Sequence, residues 1–261
     1  MAGVKFLETG PEVHTRQFGG GAMLYDTSRA GNATEAWLDP EAWRQRGNVI
    51  PLGEGRGSAW LVEADGRQMV LRHYRRGGLL GRLRGDRYHW RGEEHTRCYR
   101  EWRMLYQLHR VGMPVPTPLA AGFQRIGNSY RCDILTQRIP DVRSLAALVR
   151  TAPLPLETWA RIGRWLRRFH LRGVCHADLN AHNLLLGAEG PVWVIDFDRG
   201  TLRVPGWWCD ANLVRLRRSL EKLTATLPPE HFAANDWHML LDAYFVAGAE
   251  VGLAVPTPAA Q

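Results

Sequence analysis

The stretch "HADLNAHNLLL" at positions 176–186 carries the residue types that a metal-dependent phosphoryl transfer needs. Such a reaction asks little covalent chemistry of a protein. It needs in-line positioning, a metal ion to neutralise developing charge, and a group that orients the attacking hydroxyl. Magnesium is a hard cation that takes oxygen ligands, commonly a carboxylate, a carbonyl-type side chain and phosphate oxygens. Asp178 and Asn183, five residues apart, supply a base and one metal ligand. The second ligand should be a carboxylate ending a buried strand, and "VWVIDFDRG" at 192–200 provides it. Val192, Val194 and Ile195 make the apolar strand, and Asp196 follows eighteen residues after Asp178. Asp178 is therefore the expected catalytic residue, with Asn183 and Asp196 the expected ligands of Mg2+.

Those two offsets match the H-R-D-x-x-x-x-N and D-F-G elements of the protein-kinase fold, so a phosphate-binding loop and a cation should lie upstream. "LGEGRGSAW" at 52–60 supplies Gly53, Gly55 and Gly57, which let backbone amides approach phosphates, with Ser58 where the last glycine of G-x-G-x-x-G would stand. Alone, this loop reads equally well as a hairpin turn. The kinase lysine of the third strand is absent, since Lys5 and Lys222 are the chain's only lysines. "MVLRHY" at 69–74 puts Arg72 in its place, and Glu101 on the following helix is its best ionic partner. Arginine keeps the charge and can fork onto phosphate oxygens. A plain surface arginine is the alternative. His176 is expected to brace the catalytic loop by hydrogen bonding. His182 is left between loop structure and substrate contact.

The elements that must hold these residues follow from patterning. The first thirty-odd residues, with "GGGAML" and "TSRAGNAT", read as loop-rich. A short helix begins with Asp39 as N-cap and Pro40 at the first helical position, and stops before Gly47. Residues 48–74 read as strand, glycine turn, strand, Asp65-Gly66 turn, strand. A helix over 96–110 carries Tyr99, Trp102, Leu105, Tyr106 and Leu108 near one face, and two strands lie around Phe123 and Cys132–Gln137. After Pro140 the pattern turns helical, with Trp159, Ile162, Leu166 and Phe169 at helical spacing before Gly173. This order predicts an α+β, bilobal, protein-kinase-like chain. Residues 1–140 would form a small, mainly antiparallel-sheet lobe and 141–261 a mainly helical one.

Composition narrows the class further. The 261 residues are 45% hydrophobic and 23% charged, which is globular, and no apolar run is long enough to cross a membrane. The start "MAGVKFLETG" lacks the apolar core of a signal peptide, so a cytoplasmic location is expected. Cys98, Cys132, Cys175 and Cys209 are scattered and read as reduced, buried thiols rather than zinc ligands. The net charge of +8 comes almost wholly from arginine, which reads first as the codon usage of a GC-rich genome and otherwise as a tendency to meet anions. In the Arg-rich run 72–91, seven arginines stand against Asp86 with Tyr74, Tyr88 and Trp90 interleaved. Neither an RNP motif nor a helix-turn-helix accompanies it, so nucleic acid is not expected. The run is read either as a loop meeting acidic lipid head groups or as a solvated loop. "NLVRLRRSLEKL" after Trp207 and Trp208 reads as a helix packed on the core, with a basic helix lying on anionic membrane as the alternative.

Taken together, "GEGRGSAW", "LRHYRRGGLLG", "RYHW", "GMPVPTP", "HADLNAHNLLL", "IDFDRG" and "LVRLRRSLEK", spanning 53–222, resemble the bacterial 3-deoxy-D-manno-octulosonic acid (Kdo) kinase family of lipopolysaccharide-core kinases. That family carries Asp where protein kinases have the glycine of D-F-G, as at Asp198, and arginine in "LRHY". The resemblance implies an ATP-dependent kinase acting on the 4-hydroxyl of a Kdo sugar on lipid A precursor, at the cytoplasmic side of the inner membrane as a peripheral protein. It implies Asp178 as catalytic aspartate, Asn183 and Asp196 holding Mg2+, and Arg72 with Glu101 fixing the ATP phosphates. No obligatory protein partner is inferred. The chain has no A-P-E element after Asp196, which argues for a small or glycolipid acceptor over a peptide. Two alternatives stay open: another acceptor (a core heptose, a soluble sugar or an aminoglycoside-like compound), and a non-catalytic pseudokinase scaffold.

Overall fold

A computed structural model describes residues 10–47, 49–52, 59–75 and 86–250. The chain divides into two compact units, one ending at Pro140 and the other beginning at Asp141. The first holds strands β1 (Val13–Phe18), β2 (Gly21–Asp26), β3 (Val49–Pro51), β4 (Ala59–Ala64), β5 (Arg67–His73), β6 (Tyr88–His89), β7 (Pro118–Ile126) and β8 (Ser129–Gln137). Its helices are α1 (Thr27–Ala30), α2 (Pro40–Gln45) and α3 (Arg97–Arg110). All strand pairs are antiparallel in the spatial order β1-β2-β7-β8-β5-β4-β3, and β6 pairs with β8 beside the path.

One sequence expectation fails here over the described residues. From residue 10 to residue 30 the chain is not loop-rich: β1 and β2 form a hairpin around Gly19 and Gly20. β2 is buried at all six positions, so it shows no polar alternation that would mark a strand. Gly21 is required there, because a Cβ would stand 2.1 Å from the Phe123 carbonyl oxygen of β7. The Asp65-Gly66 turn behaves as read: both residues have positive φ, 51° and 69°, as a tight hairpin demands. The second helix also starts as read, with the Asp39 carboxylate accepting the Glu41 amide and Pro40 in the first turn.

The two faces of this sheet do different jobs. Met69 and Leu71 of β5 join Trp60, Val62, Leu135 and Met23 under Leu38 and Trp43. Arg72, one residue out of that phase, is directed to α3 and its Glu101. Helix α3 packs against β7 through the Tyr99 and Phe123 rings and the Cys98 thiol, which donates to the Gly122 carbonyl.

The second unit contains β9 (Arg143–Ser144), β10 (Val174–Cys175), β11 (Leu184–Leu186), β12 (Val192–Val194) and β13 (Thr201–Leu202). Its helices are α4 (Leu145–Thr151), α5 (Leu156–Leu171), α6 (Trp208–Thr224) and α7 (Ala234–Glu250). Trp159, Ile162, Leu166 and Phe169 bury the α5 stripe that helical spacing predicts. Helix α6 buries Leu213, Leu216 and Leu220 and exposes Arg215, Arg217 and Arg218. The small strands form a β12-β11-β9 sheet and a β10-β13 pair. All four cysteines are buried and free. Among the described residues no helix is long and apolar enough to cross a membrane.

Candidate active site

In the second unit, the chain leaves β10, makes the polar loop 176–183, and enters the β11–β12 hairpin, whose last strand ends two residues before Asp196. The hairpin register pairs Leu184 with Val194, and the Ile195 amide donates to the Asn183 carbonyl at 3.0 Å. Asn183 and Asp196 are thus set at the same end of one ladder by the pairing itself. Asp196 has φ of 64°, the left-handed region a non-glycine residue seldom adopts, held here two residues past the end of β12.

The loop is cross-linked internally. The His176 amide-facing nitrogen Nδ1 accepts the Asp178 N–H at 3.2 Å, so the ring proton sits on Nε2 and is donated to the Ile195 carbonyl at 2.9 Å. Burial pushes the imidazole pKa down against the raising influence of that carbonyl, Asp196 and Asp178, so the ring is neutral. The Asn183 amide donates from Nδ2 to the Asp178 carbonyl at 2.9 Å. An amide nitrogen must face a carbonyl, which fixes the flip and leaves Oδ1 of this buried side chain as the acceptor available to a cation. A carboxylate at Asp196 and an amide oxygen at Asn183 make a hard-oxygen set that fits Mg2+.

Sequence reading missed Asn180. Its Nδ2 donates to the Asp178 carboxylate at 3.1 Å and carbonyl at 3.2 Å, while its Oδ1 accepts the amides of His182 and Asn183 at 2.9 and 3.2 Å. It both steadies Asp178 and shapes the loop. The signal was an Asx residue two positions after Asp178, in a run where such side chains turn back on the backbone. Ser219 of α6 was also missed: its hydroxyl accepts the Ala181 amide at 3.1 Å and ties the loop to that helix. The His182 backbone amide serves the loop through Asn180, and the residue is exposed.

In the first unit the structure brings Arg72 and Glu101 together. An Arg72 Nη2 hydrogen is donated to Glu101 Oε2, and the Tyr74 hydroxyl donates to the same oxygen. Glu101 is 3% exposed, so the guanidinium and phenol supply what water would otherwise give a carboxylate. Burial, and then the Glu101 charge, pushes the Tyr74 pKa well up, which keeps the phenol a donor. The expected phosphate loop, Gly53, Gly55, Gly57 and Ser58, lies outside the described residues.

Residues 40–244 match the family model described as "Lipopolysaccharide kinase (Kdo/WaaP) family". A 3-deoxy-D-manno-octulosonic acid kinase of Xylella fastidiosa (strain M23) is 48% identical over 204 residues, 78% of this chain and 81% of that one. The protein of that description from Stenotrophomonas maltophilia (strain K279a) is 44% identical over 231 residues, 87% and 90% of the two chains. The one from Xanthomonas campestris pv. campestris (strain B100) is 43% identical over 230 residues, 88% and 91%. Among solved structures, WaaP in complex with acyl carrier protein is similar in fold, with a TM-score of 0.52 at 22% identity, covering 82% of this chain and 86% of that one.

Proposed function

The chain belongs to the lipopolysaccharide kinase (Kdo/WaaP) family, and from that membership we propose that it is an ATP-dependent kinase of Kdo in lipopolysaccharide core biosynthesis. It is a phosphotransferase with an alcohol acceptor, and the acceptor is the 4-hydroxyl of a Kdo unit on lipid A precursor. The observation that carries the reading is the internally locked loop that holds Asp178 and Asn183 beside Asp196, in a chain 43–48% identical to Kdo kinases over most of its length.

Each residue then has one task. Asp178, held by Asn180, accepts a hydrogen bond from the sugar hydroxyl and aligns its oxygen with the phosphoryl group. Asn183 Oδ1 and Asp196 hold Mg2+, which neutralises charge on the phosphate oxygens when bound. Arg72, oriented by Glu101 and Tyr74, takes the ATP phosphates in place of the kinase lysine. Gly53, Gly55, Gly57 and Ser58 are assigned to the same phosphates on their residue types, since a glycine-rich run lets backbone amides approach an anion. A glycolipid acceptor places the protein at the cytoplasmic face of the inner membrane. A net charge of +8 supports that peripheral attachment.

The direct test is mass spectrometry of Kdo-lipid A precursor incubated with protein, ATP and Mg2+, beside Asp178→Asn. One added phosphate on Kdo, made only by the unaltered protein, is expected. Demonstrable ATP binding without product would move the acceptor to another sugar or the chain to a scaffold.

A further inference from the structure

The chemistry of Asp178 leaves unexplained an apolar projection in the same unit. Val204 and Trp207 are 81% and 77% exposed, the two most exposed large apolar side chains among the described residues. Soluble surfaces scatter single apolar residues, yet these two sit three apart in a loop exposed from Arg203 to Trp207. The loop is built rather than slack. The buried Trp208 indole N–H donates to the Val204 carbonyl at 2.8 Å, and the Cys209 amide donates to the Gly206 carbonyl at 2.8 Å.

The projection continues along α6. Ala211, Val214, Arg215 and Arg218 follow Trp207 by four, seven, eight and eleven residues, which places them on one helical face. Val214 is 46% exposed, and both arginines are exposed. Arg199 and Arg203, also exposed, flank the loop on its other side. Asp210 is the nearby exposed acid, and the Arg217 charge is taken by Glu221 at 2.8 Å. Apolar tips with an indole, rimmed by guanidinium groups, match the interfacial layer of a bilayer carrying anionic phosphates.

We propose that Val204 and Trp207 insert into the interface of an anionic bilayer, with Arg199, Arg203, Arg215 and Arg218 on lipid phosphates. Rigid attachment gives this consequence for catalysis. β13 pairs with β10, and the Arg203 amide donates to the Gly173 carbonyl at 2.8 Å. Cys175, Trp208 and Cys209 pack in one buried cluster under that pair. The strand braced by the inserted loop is therefore the one that runs directly into His176–Asn183. Docking fixes the catalytic loop with respect to the lipid surface, where a membrane-borne sugar is presented. This deepens the proposed glycolipid acceptor and rests on it.

The experiment compares the full chain with Val204→Ser/Trp207→Ser and with Arg215→Glu/Arg218→Glu. Sedimentation is measured with phosphatidylcholine vesicles with and without phosphatidylglycerol. Phosphorylation is measured on Kdo-lipid A precursor in those vesicles and on a soluble Kdo glycoside. The unaltered protein should sediment with the anionic vesicles, and each variant should lose about tenfold or more of that binding. Transfer to the vesicle-borne acceptor should fall in parallel, while the rate on the soluble glycoside and the melting temperature stay unchanged. Unchanged vesicle binding in both variants overturns the proposal, as does equal loss on both acceptors. Retained vesicle binding with loss of a co-purifying protein also overturns it, and makes the patch a protein dock. Absence of transfer by the unaltered protein to either sugar would fail the acceptor assignment instead, and the sedimentation arm would still decide the patch.

Discussion

His176 and Ile195 are joined across nineteen positions by a 2.9 Å hydrogen bond from the imidazole Nε2 to the main-chain carbonyl. The opposite nitrogen of the same ring accepts the Asp178 amide. One neutral side chain therefore sets the backbone on both sides of the candidate site, next to Asp178 and next to Asp196. His176→Phe should keep the edge-to-face contact with Phe197, whose ring centroid is 5.0 Å away, and lose both hydrogen bonds. Turnover should fall about 10- to 100-fold, with Mg-ATP affinity falling too, because both acidic segments share the support. Steady-state kinetics and ATP titration test this; a variant with normal turnover would remove the ring from the mechanism.

Asp178→Asn and Asp196→Asn should separate chemistry from nucleotide binding. The first keeps size and the Asn180 contact but cannot take the hydroxyl hydrogen. Transfer should drop by at least about 100-fold with ATP affinity close to normal. The second removes the carboxylate proposed to hold Mg2+, so Mg-ATP affinity should weaken together with turnover. Equal behaviour of the two variants in an ATP-binding titration would show that the roles are wrongly divided.

Arg72 and Glu101 should prove coupled in stability as well as function. Arg72→Ala leaves a nearly inaccessible carboxylate without its guanidinium, at a cost of about 2–3 kcal/mol. A double-mutant cycle with Glu101→Gln should give a coupling energy of about 1–3 kcal/mol in denaturant unfolding. ATP affinity should fall in both single variants. If stability falls while ATP binding is untouched, the pair is a packing device and the phosphate cation lies elsewhere.

How far the sequence was readable depends on what each residue answers to. Asp178, Asn183 and Asp196 stand out because the proposed metal chemistry restricts residue type and a hairpin restricts spacing. The Arg72–Glu101 pairing was readable from the place of Arg72 where the kinase lysine stands and from the acid on the next helix, and the structure adds that Met69 and Leu71 occupy the opposite phase of the strand. Ser219 was not, because a hydroxyl on an amphipathic helix gives no sign of an amide 38 residues upstream. β9 spans two residues, too short to show any period, and exists because Leu185 and Leu186 pair with it. β2 was hidden by complete burial, which erases the alternation that identifies a half-buried strand.

Gly163 is another position whose meaning is tertiary. It sits mid-helix in α5, where glycine is locally unfavourable. A Cβ there would lie 2.1 Å from the Leu240 carbonyl oxygen of α7, so glycine permits the two helices to approach. Gly163→Ala should gain helix propensity and still destabilise, by about 1–3 kcal/mol, because backbone must move. A thermal melt higher than that of the unaltered protein would contradict this packing.

The same helix pair should make the second unit acid-sensitive. The Tyr244 hydroxyl donates to His170 Nδ1 at 2.8 Å, joining α5 to α7 through a neutral imidazole. Burial, reinforced by the Arg167 charge, pushes the His170 pKa down from 6.5 to about 4. A depressed value means that the unfolded chain binds the proton first. Stability is thus complete above about pH 6.5 and is lost as pH falls toward 4, by about 3 kcal/mol across that window. His176, lowered by its own burial, adds loss of the same sign. His170→Asn offers an amide oxygen to the tyrosine and cannot titrate, so it should flatten the slope of unfolding free energy between pH 6.5 and 4. Denaturant unfolding at several pH values measures that slope directly. An unchanged slope in the variant would place the acid sensitivity elsewhere.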